Sequence, residues 1–128
     1  MPELKKVLYV EDEPDIQKVA SLALETIGGL IVEVCSSGKE ALEKAVDFDP
    51  DLLLLDVMMP EMDGPTTMAE LRKIESLNKI PAVFMTAKVQ PQEVEHLKGL
   101  EGVAGVISKP FDPMSLAQQL KDIWEKAS

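Results

Sequence analysis

Glu11, Asp12, Asp56, Thr86 and Lys109 are the residues in this chain whose types and spacing could do chemistry, because each closes or follows a short apolar run. The acids at 11 and 12 follow VLYV (7–10), and Asp56 follows LLLL (52–55). Thr86 follows AVFM (82–85), and Lys109-Pro110 follow GVIS (105–108). Runs of this kind read as buried strands. Parallel strands put their carboxyl ends on one edge of a sheet, where open α/β sheets bind ligands. Residues far apart in sequence are therefore expected to converge there. Three acids, a hydroxyl and an ammonium suit Mg²⁺ and a phosphoryl group. Hard Mg²⁺ takes oxygen ligands and keeps several waters, so two carboxylates and one backbone carbonyl make a workable half-shell. The segment LDVMMPEMDG (55–64) is a shaped loop with free carbonyls to offer. A carboxylate can form an acyl phosphate, which makes Asp56 the candidate nucleophile. Thr86 can donate to one phosphoryl oxygen and Lys109 can pair with another. Singly, each residue has an ordinary explanation: acid pairs start surface loops, and lysines before proline face solvent. Their joint placement at strand ends carries the reading.

The elements that must position these residues alternate along the chain. Five apolar runs separated by amphipathic stretches are the pattern of βαβ units, so the class is α/β with a parallel sheet. VLYV, LLLL and AVFM are continuously apolar, as expected of central strands covered on both faces. LIVEV (30–34) carries Glu33 and GVIS is short, which suits strands nearer the edges. The first helix is expected to bury Ile16, Val19, Ala20, Ala23 and Ile27 and to stop at Gly28-Gly29. Ser37 and Glu40 form a capping-box pattern ahead of a helix burying Ala41, Leu42, Ala45 and Val46. Pro14, Pro65, Pro91 and Pro113 are each expected in a first helical turn, where a missing N–H costs least. In the last helix Leu116, Leu120, Ile123 and Ala127 share helical spacing, with Trp124 as packing surface.

Composition bounds the function classes. The 128 residues suit one domain with a core of its own, spanning 1–128. A net charge of −10 argues against direct nucleic-acid binding, so partners are expected to be proteins. No apolar run approaches the roughly 20 residues of a membrane span, and the start MPELKK lacks a secretory hydrophobic stretch, so a cytoplasmic location without membrane contact is expected. The one cysteine, Cys35, cannot form an intramolecular disulfide and reads as a structural thiol.

VLYVEDE (7–13), LLLLDVMMPEMDG (52–64), MTA (85–87) and SKPF (108–111), in this order and spacing, resemble the receiver domain of bacterial two-component response regulators over residues 4–126. The resemblance implies a doubly wound (βα)5 flavodoxin-like fold with a five-stranded parallel sheet of order 2-1-3-4-5. It implies that Asp56 is the phospho-acceptor, that Asp12, Asp56 and the Met58 carbonyl ligate Mg²⁺ directly, and that Glu11 does so through water. Thr86 and Lys109 would hold the phosphoryl group, with a cis Lys109–Pro110 bond. The implied donor is a histidine kinase or histidine phosphotransfer protein, and the implied recipient a downstream protein effector or output domain. The fifth helix ends near residue 126, so this stretch is expected to carry no output domain. The switch would involve Thr86, Ala87, Val106 and Pro110. Val106 stands where most of the family have Tyr or Phe, and a valine cannot relay the same large side-chain movement. Thr86 and the segment Ala87 to Gln92 are therefore expected to carry the change.

Rival readings differ in class. A phosphatase with an aspartyl nucleophile would need a second aspartate two residues after the first, where this chain has Met58. A histidine phosphotransfer module could use only His96, in EVEHLK, which reads as a solvated helix face. A receiver fold serving as a docking module without phosphorylation is opposed by the complete acidic set.

Overall fold

The computed structural model describes residues 3–87 and 90–127. Its strands are β1 (Lys6–Val10), β2 (Ile31–Cys35), β3 (Leu52–Asp56), β4 (Ala82–Thr86) and β5 (Val103–Ser108). All pair in parallel, in the order β2-β1-β3-β4-β5. The helices are α1 (Pro14–Leu22), α2 (Gly38–Phe48), α3 (Gly64–Arg72), α4 (Pro91–Lys98) and α5 (Leu116–Ala127). This is the doubly wound flavodoxin-like arrangement. The strands β3 and β4 are buried along their whole length, and β2 and β5 form the edges. Both edge strands are displaced or longer than the apolar runs suggested, starting at Ile31 and Val103.

The strand pleat divides the interior into two cores. Val7, Tyr9, Leu52, Leu54, Val83 and Met85 point to one face and pack with Leu24, Leu116 and Leu120 from the α1/α5 side. Leu8, Val10, Leu53, Leu55 and Phe84 point to the other, against Ala41, Ala45, Met68, Leu71 and Leu97 from α2, α3 and α4. Continuous apolar strands are what two covered faces demand. Burying each such leucine contributes roughly 1.5–3 kcal/mol before entropy is counted.

Helix starts follow the signals expected of them. Pro14, Pro65 and Pro91 sit in the first turns of α1, α3 and α4. The Ser37 hydroxyl accepts from the Glu40 N–H at 3.1 Å, while the Glu40 carboxylate takes the N–H of Ser36, one residue outside the expected box. Pro113 departs from expectation: it lies in a turn that precedes α5, where the Asp112 carboxylate accepts the Met114 N–H at 3.0 Å.

The buried helical faces are narrower than the spacing suggested. After Leu22 the chain widens into a π turn over Ala23–Ile27, with the Gly28 N–H on the Ala23 carbonyl at 3.2 Å. A wide turn rotates the residues around it. Ala20, Ala23 and Leu24 are buried, whereas Val19 and Ile27 are exposed, as is Val46 on α2 and Ala127 on α5. The Lys121 ammonium on the Gly28 carbonyl, at 2.8 Å, ties α5 to the end of that turn. Trp124 is half-buried against the α1/α5 core, and Cys35 is fully buried, which pushes its thiol up to about 12. Among the described residues no helix is long and apolar enough to cross a membrane.

Candidate functional site

Strand register delivers the site. Val10 pairs with Leu55, and Asp56 pairs with Met85, so Glu11, Asp56 and Thr86 stand at the ends of adjacent strands. Thr86 pairs with Ser108, and the Lys109 N–H bonds the Thr86 carbonyl at 2.9 Å, bringing the fifth strand end alongside. The connection after β1 runs to β2 on one side and the connection after β3 runs to β4 on the other, and that topological switch point between β1 and β3 opens a crevice at their carboxyl ends.

Burial sorts the charged groups. Glu11 is 0% exposed, Asp56 4% and Thr86 1%, while Asp12 is half-buried. Glu11, Asp12 and Asp56 each offer a carboxylate oxygen within 4.8 Å of the others. Like charges this close repel strongly where water is scarce, and a cation relieves them. Lys109 reaches across, its ammonium 2.7 Å from Glu11 Oε1 and 3.2 Å from Asp56 Oδ1. Burial, reinforced by the Asp56 charge and opposed by the Lys109 bond, pushes Glu11 up to about 7. For Lys109, burial pulls downward, but the bonds to Glu11 and Asp56 outweigh it and hold the ammonium above its ordinary value. One lysine against three acids leaves the crevice net negative, a donor set of hard oxygens that fits a small divalent cation.

The loop after β3 is held by main-chain bonds. The Val57 N–H reaches the Met85 carbonyl at 3.0 Å, and the Gly64 N–H returns to the Val57 carbonyl at 3.0 Å. Asp63 caps α3, its carboxylate accepting the Thr66 N–H at 2.8 Å. Gly64 is required by this closure: a Cβ there would lie 2.5 Å from the Asp56 carbonyl oxygen and 3.0 Å from Val57 Cα. Met59 anchors the loop in the core, while the Met58 side chain is 58% exposed. Among the described residues no main-chain N–H is bonded to the Met58 carbonyl.

The remaining expected site residues fall nearby. Ala87 is exposed beyond β4, Val106 is half-buried against the α2/α3/α4 core, and Pro110 is exposed after a cis bond from Lys109. Lys88 and Val89, part of the expected switch segment, lie outside the described residues. His96 is exposed on α4. Beside Lys109 an apolar groove of about 450 Å³ is lined by Ile16, Val19, Lys109, Pro110, Phe111 and Pro113.

Two residues near the site escaped sequence reasoning. Tyr9 is fully buried, and burial together with the Glu11 and Asp56 charges holds its hydroxyl above the usual tyrosine range. Its place in the run VLYV signalled only a strand. Gln17, from α1, donates its amide to the Glu11 carbonyl and to the Ser36 hydroxyl. It falls six residues after Glu11, off the apolar face read for that helix.

The chain matches the family model of the response regulator receiver domain over residues 7–121. It is 36% identical over 124 residues to the alkaline phosphatase synthesis transcriptional regulatory protein PhoP of Bacillus subtilis, covering 96% of this chain and 50% of PhoP. It is equally 36% identical over 120 residues to the phosphate regulon transcriptional regulatory protein PhoB of Pseudomonas aeruginosa, covering 93% of this chain and 51% of PhoB. The chain thus spans about half the length of these curated relatives. Among solved structures, the chemotaxis response regulator CheY4 of Vibrio cholerae aligns with a TM-score of 0.84 at 31% identity, covering 94% of this chain and 98% of that one. A match that runs from β1 into α5, on the 2-1-3-4-5 sheet described above, makes this chain a member of the response regulator receiver domain family, the signalling input module of two-component systems.

Proposed function

We propose that residues 1–128 form one receiver unit in which Asp56 accepts a phosphoryl group from a histidine kinase or histidine phosphotransfer protein. The observation that carries this is the meeting of a nearly buried Asp56 with Glu11, Asp12 and the Lys109 ammonium at one sheet edge. A carboxylate oxygen of Asp56 attacks phosphorus, the bond to the donor nitrogen breaks, and the donor imidazole leaves with the electron pair. The product is an acyl phosphate, which water hydrolyses slowly back to the carboxylate. Asp12, Asp56 and the Met58 carbonyl would ligate Mg²⁺, with Glu11 acting through water. When bound, Mg²⁺ neutralises charge on the transferring group. Lys109 pairs with a phosphoryl oxygen in place of its present bond to Asp56, and Thr86 donates to another. The apolar groove beside Lys109 supports a protein donor, because it offers apolar area that a docked partner would bury. Recipients are protein effectors or an output domain, and the net charge of −10 supports protein partners for this segment.

Treatment with Mg²⁺ and acetyl phosphate is expected to add the mass of one phosphoryl group to the intact protein, and Asp56→Asn to remove that reactivity. Equal labelling of the substituted protein would refute the assignment.

Switching follows from the same site. Thr86 turning toward the phosphoryl group draws in Ala87 and the segment to Gln92, whose Lys88 and Val89 lie outside the described residues. Val106 is too short to relay the movement alone, and Pro110 holds the β5 exit. Backbone NMR shifts on adding beryllofluoride are expected to be largest near Asp56 and residues 86–92 and smaller around Val106. Thr86→Ala should damp the remote changes. A peak at Val106 that survives Thr86→Ala would overturn this account.

A further inference from the structure

Asp12 is the first loop residue after Glu11, so the direction in which its carboxylate leaves the sheet depends on the peptide joining them. The main chain is held on both sides of Glu11. The Glu11 N–H donates to the Cys35 carbonyl at 3.0 Å, extending the β1–β2 ladder. The Glu11 carbonyl accepts from Gln17 Nε2, and the same amide nitrogen donates to Ser36 Oγ at 3.0 Å. Ser36 is fixed in turn, its N–H on the Glu40 carboxylate, and that bond holds Glu40 below the usual carboxylate range. A continuous chain of bonds thus runs from the cap of α2 through Gln17 to the acid pair.

We propose that Gln17 is a positioning residue for the cation site: by clamping the Glu11 carbonyl to Ser36, it sets the Asp12 carboxylate toward Glu11 and Asp56. The chemistry selects an amide. Two N–H groups on one nitrogen serve two acceptors in separate loops, and the group is neutral. A glutamate could not donate, and a lysine or arginine would bring a cation to compete with the metal. Gln17 is half-buried, and its bond to the Glu11 carbonyl is partly shielded from water while the one to Ser36 is exposed. This inference rests on reading Glu11, Asp12 and Asp56 as the Mg²⁺ set.

The test is the Mg²⁺ dependence of the melting midpoint, with acetyl phosphate labelling as a second readout. Gln17→Met keeps the length and loses the donors, and Gln17→Ala repeats the loss with a strong helix former. Both are expected to raise the Mg²⁺ concentration needed for a given rise in the midpoint about threefold to tenfold, the range of one lost neutral hydrogen bond. Labelling at saturating Mg²⁺ should stay within about twofold of the parent. Ser36→Ala, which leaves the Glu11 bond in place, should shift that concentration by less than Gln17→Met. If the parent responds to Mg²⁺ and both Gln17 variants respond at the same concentration, the positioning role is overturned while the metal assignment stands. A parent indifferent to Mg²⁺ overturns both.

Discussion

At the amino-terminal edge of the sheet, charged side chains are committed to the main chain. Asp51 accepts the N–H groups of Lys5 and Lys6 at 3.0 and 2.9 Å. Arg72 donates to the carbonyls of Leu77, Ile80 and Gly102, the last at 3.1 Å. Gly102 has φ +83, and a Cβ there would run into the guanidinium. At the carboxyl edge the charged side chains instead face one another, with Glu11, Asp12 and Asp56 opposed by Lys109. Charges of the first kind close loops, because an ion bonded to otherwise orphaned main-chain groups stabilises what it touches. Charges of the second kind leave an electrostatic excess that burial magnifies, and an external cation or phosphoryl group must complete it. One sheet therefore separates stability from response by assigning them to opposite ends of its strands.

The sharpest way to break that comparison is Arg72→Ala. Losing its carbonyl bonds at the closing edge is expected to cost about 2 kcal/mol and to lower the melting midpoint by about 10 °C. The Mg²⁺ increment in the midpoint should be unchanged, and a lost increment would show the two edges to be coupled. Asp12→Ala probes the other edge with the opposite sign. It removes like-charge repulsion, so the metal-free protein should melt no lower than the parent. The rise of about 1.4 kcal/mol expected at ten times the dissociation constant should disappear. A response to Mg²⁺ that persists would defeat the ligand assignment.

A further test is one of pH. Glu11, with a folded value of about 7 against an ordinary 4.5, holds its proton more tightly in the fold than in the unfolded chain. Its contribution to metal-free stability is full below pH 4.5 and is lost as pH rises through 7. Melts in chelator should therefore fall gently across that window. The Mg²⁺ increment should grow across the same window, because proton and metal compete for one set of oxygens. Parallel curves with and without Mg²⁺ would exclude Glu11 as a participant.

The residues that converge were legible because their positions follow from chain direction. Once 7–10, 52–55 and 82–85 are parallel strands, the next residue of each must emerge at the same edge. Helix starts were nearly as legible, since Pro14, Pro65 and Pro91 act within one turn of their own position. The helix faces were not: Val19, Ile27 and Val46 fit a 3.6-residue period yet are exposed. The π turn at Ala23–Ile27 is a choice of hydrogen-bond partner that leaves no mark in an apolar pattern. Arg72, Asp51 and Gln17 were illegible for a related reason. Each is a polar residue at an ordinary polar position, and its partners lie in another loop.

The sequence by itself determined the strand and helix alternation, the strand-end placement of Glu11, Asp12, Asp56, Thr86 and Lys109, and so the kind of chemistry their edge can support. These are consequences of period and chain direction, which act locally. The tertiary structure alone decided that Glu11 is the buried acid and Asp12 the half-buried one. It also decided that Lys109 bonds Glu11 more closely than Asp56, and that Gln17 joins two loops. Pairings between residues 98 positions apart, as for Lys109 and Glu11, depend on how the helices dock on the sheet and on how much water the packing leaves, and neither quantity is written in any local stretch of chain.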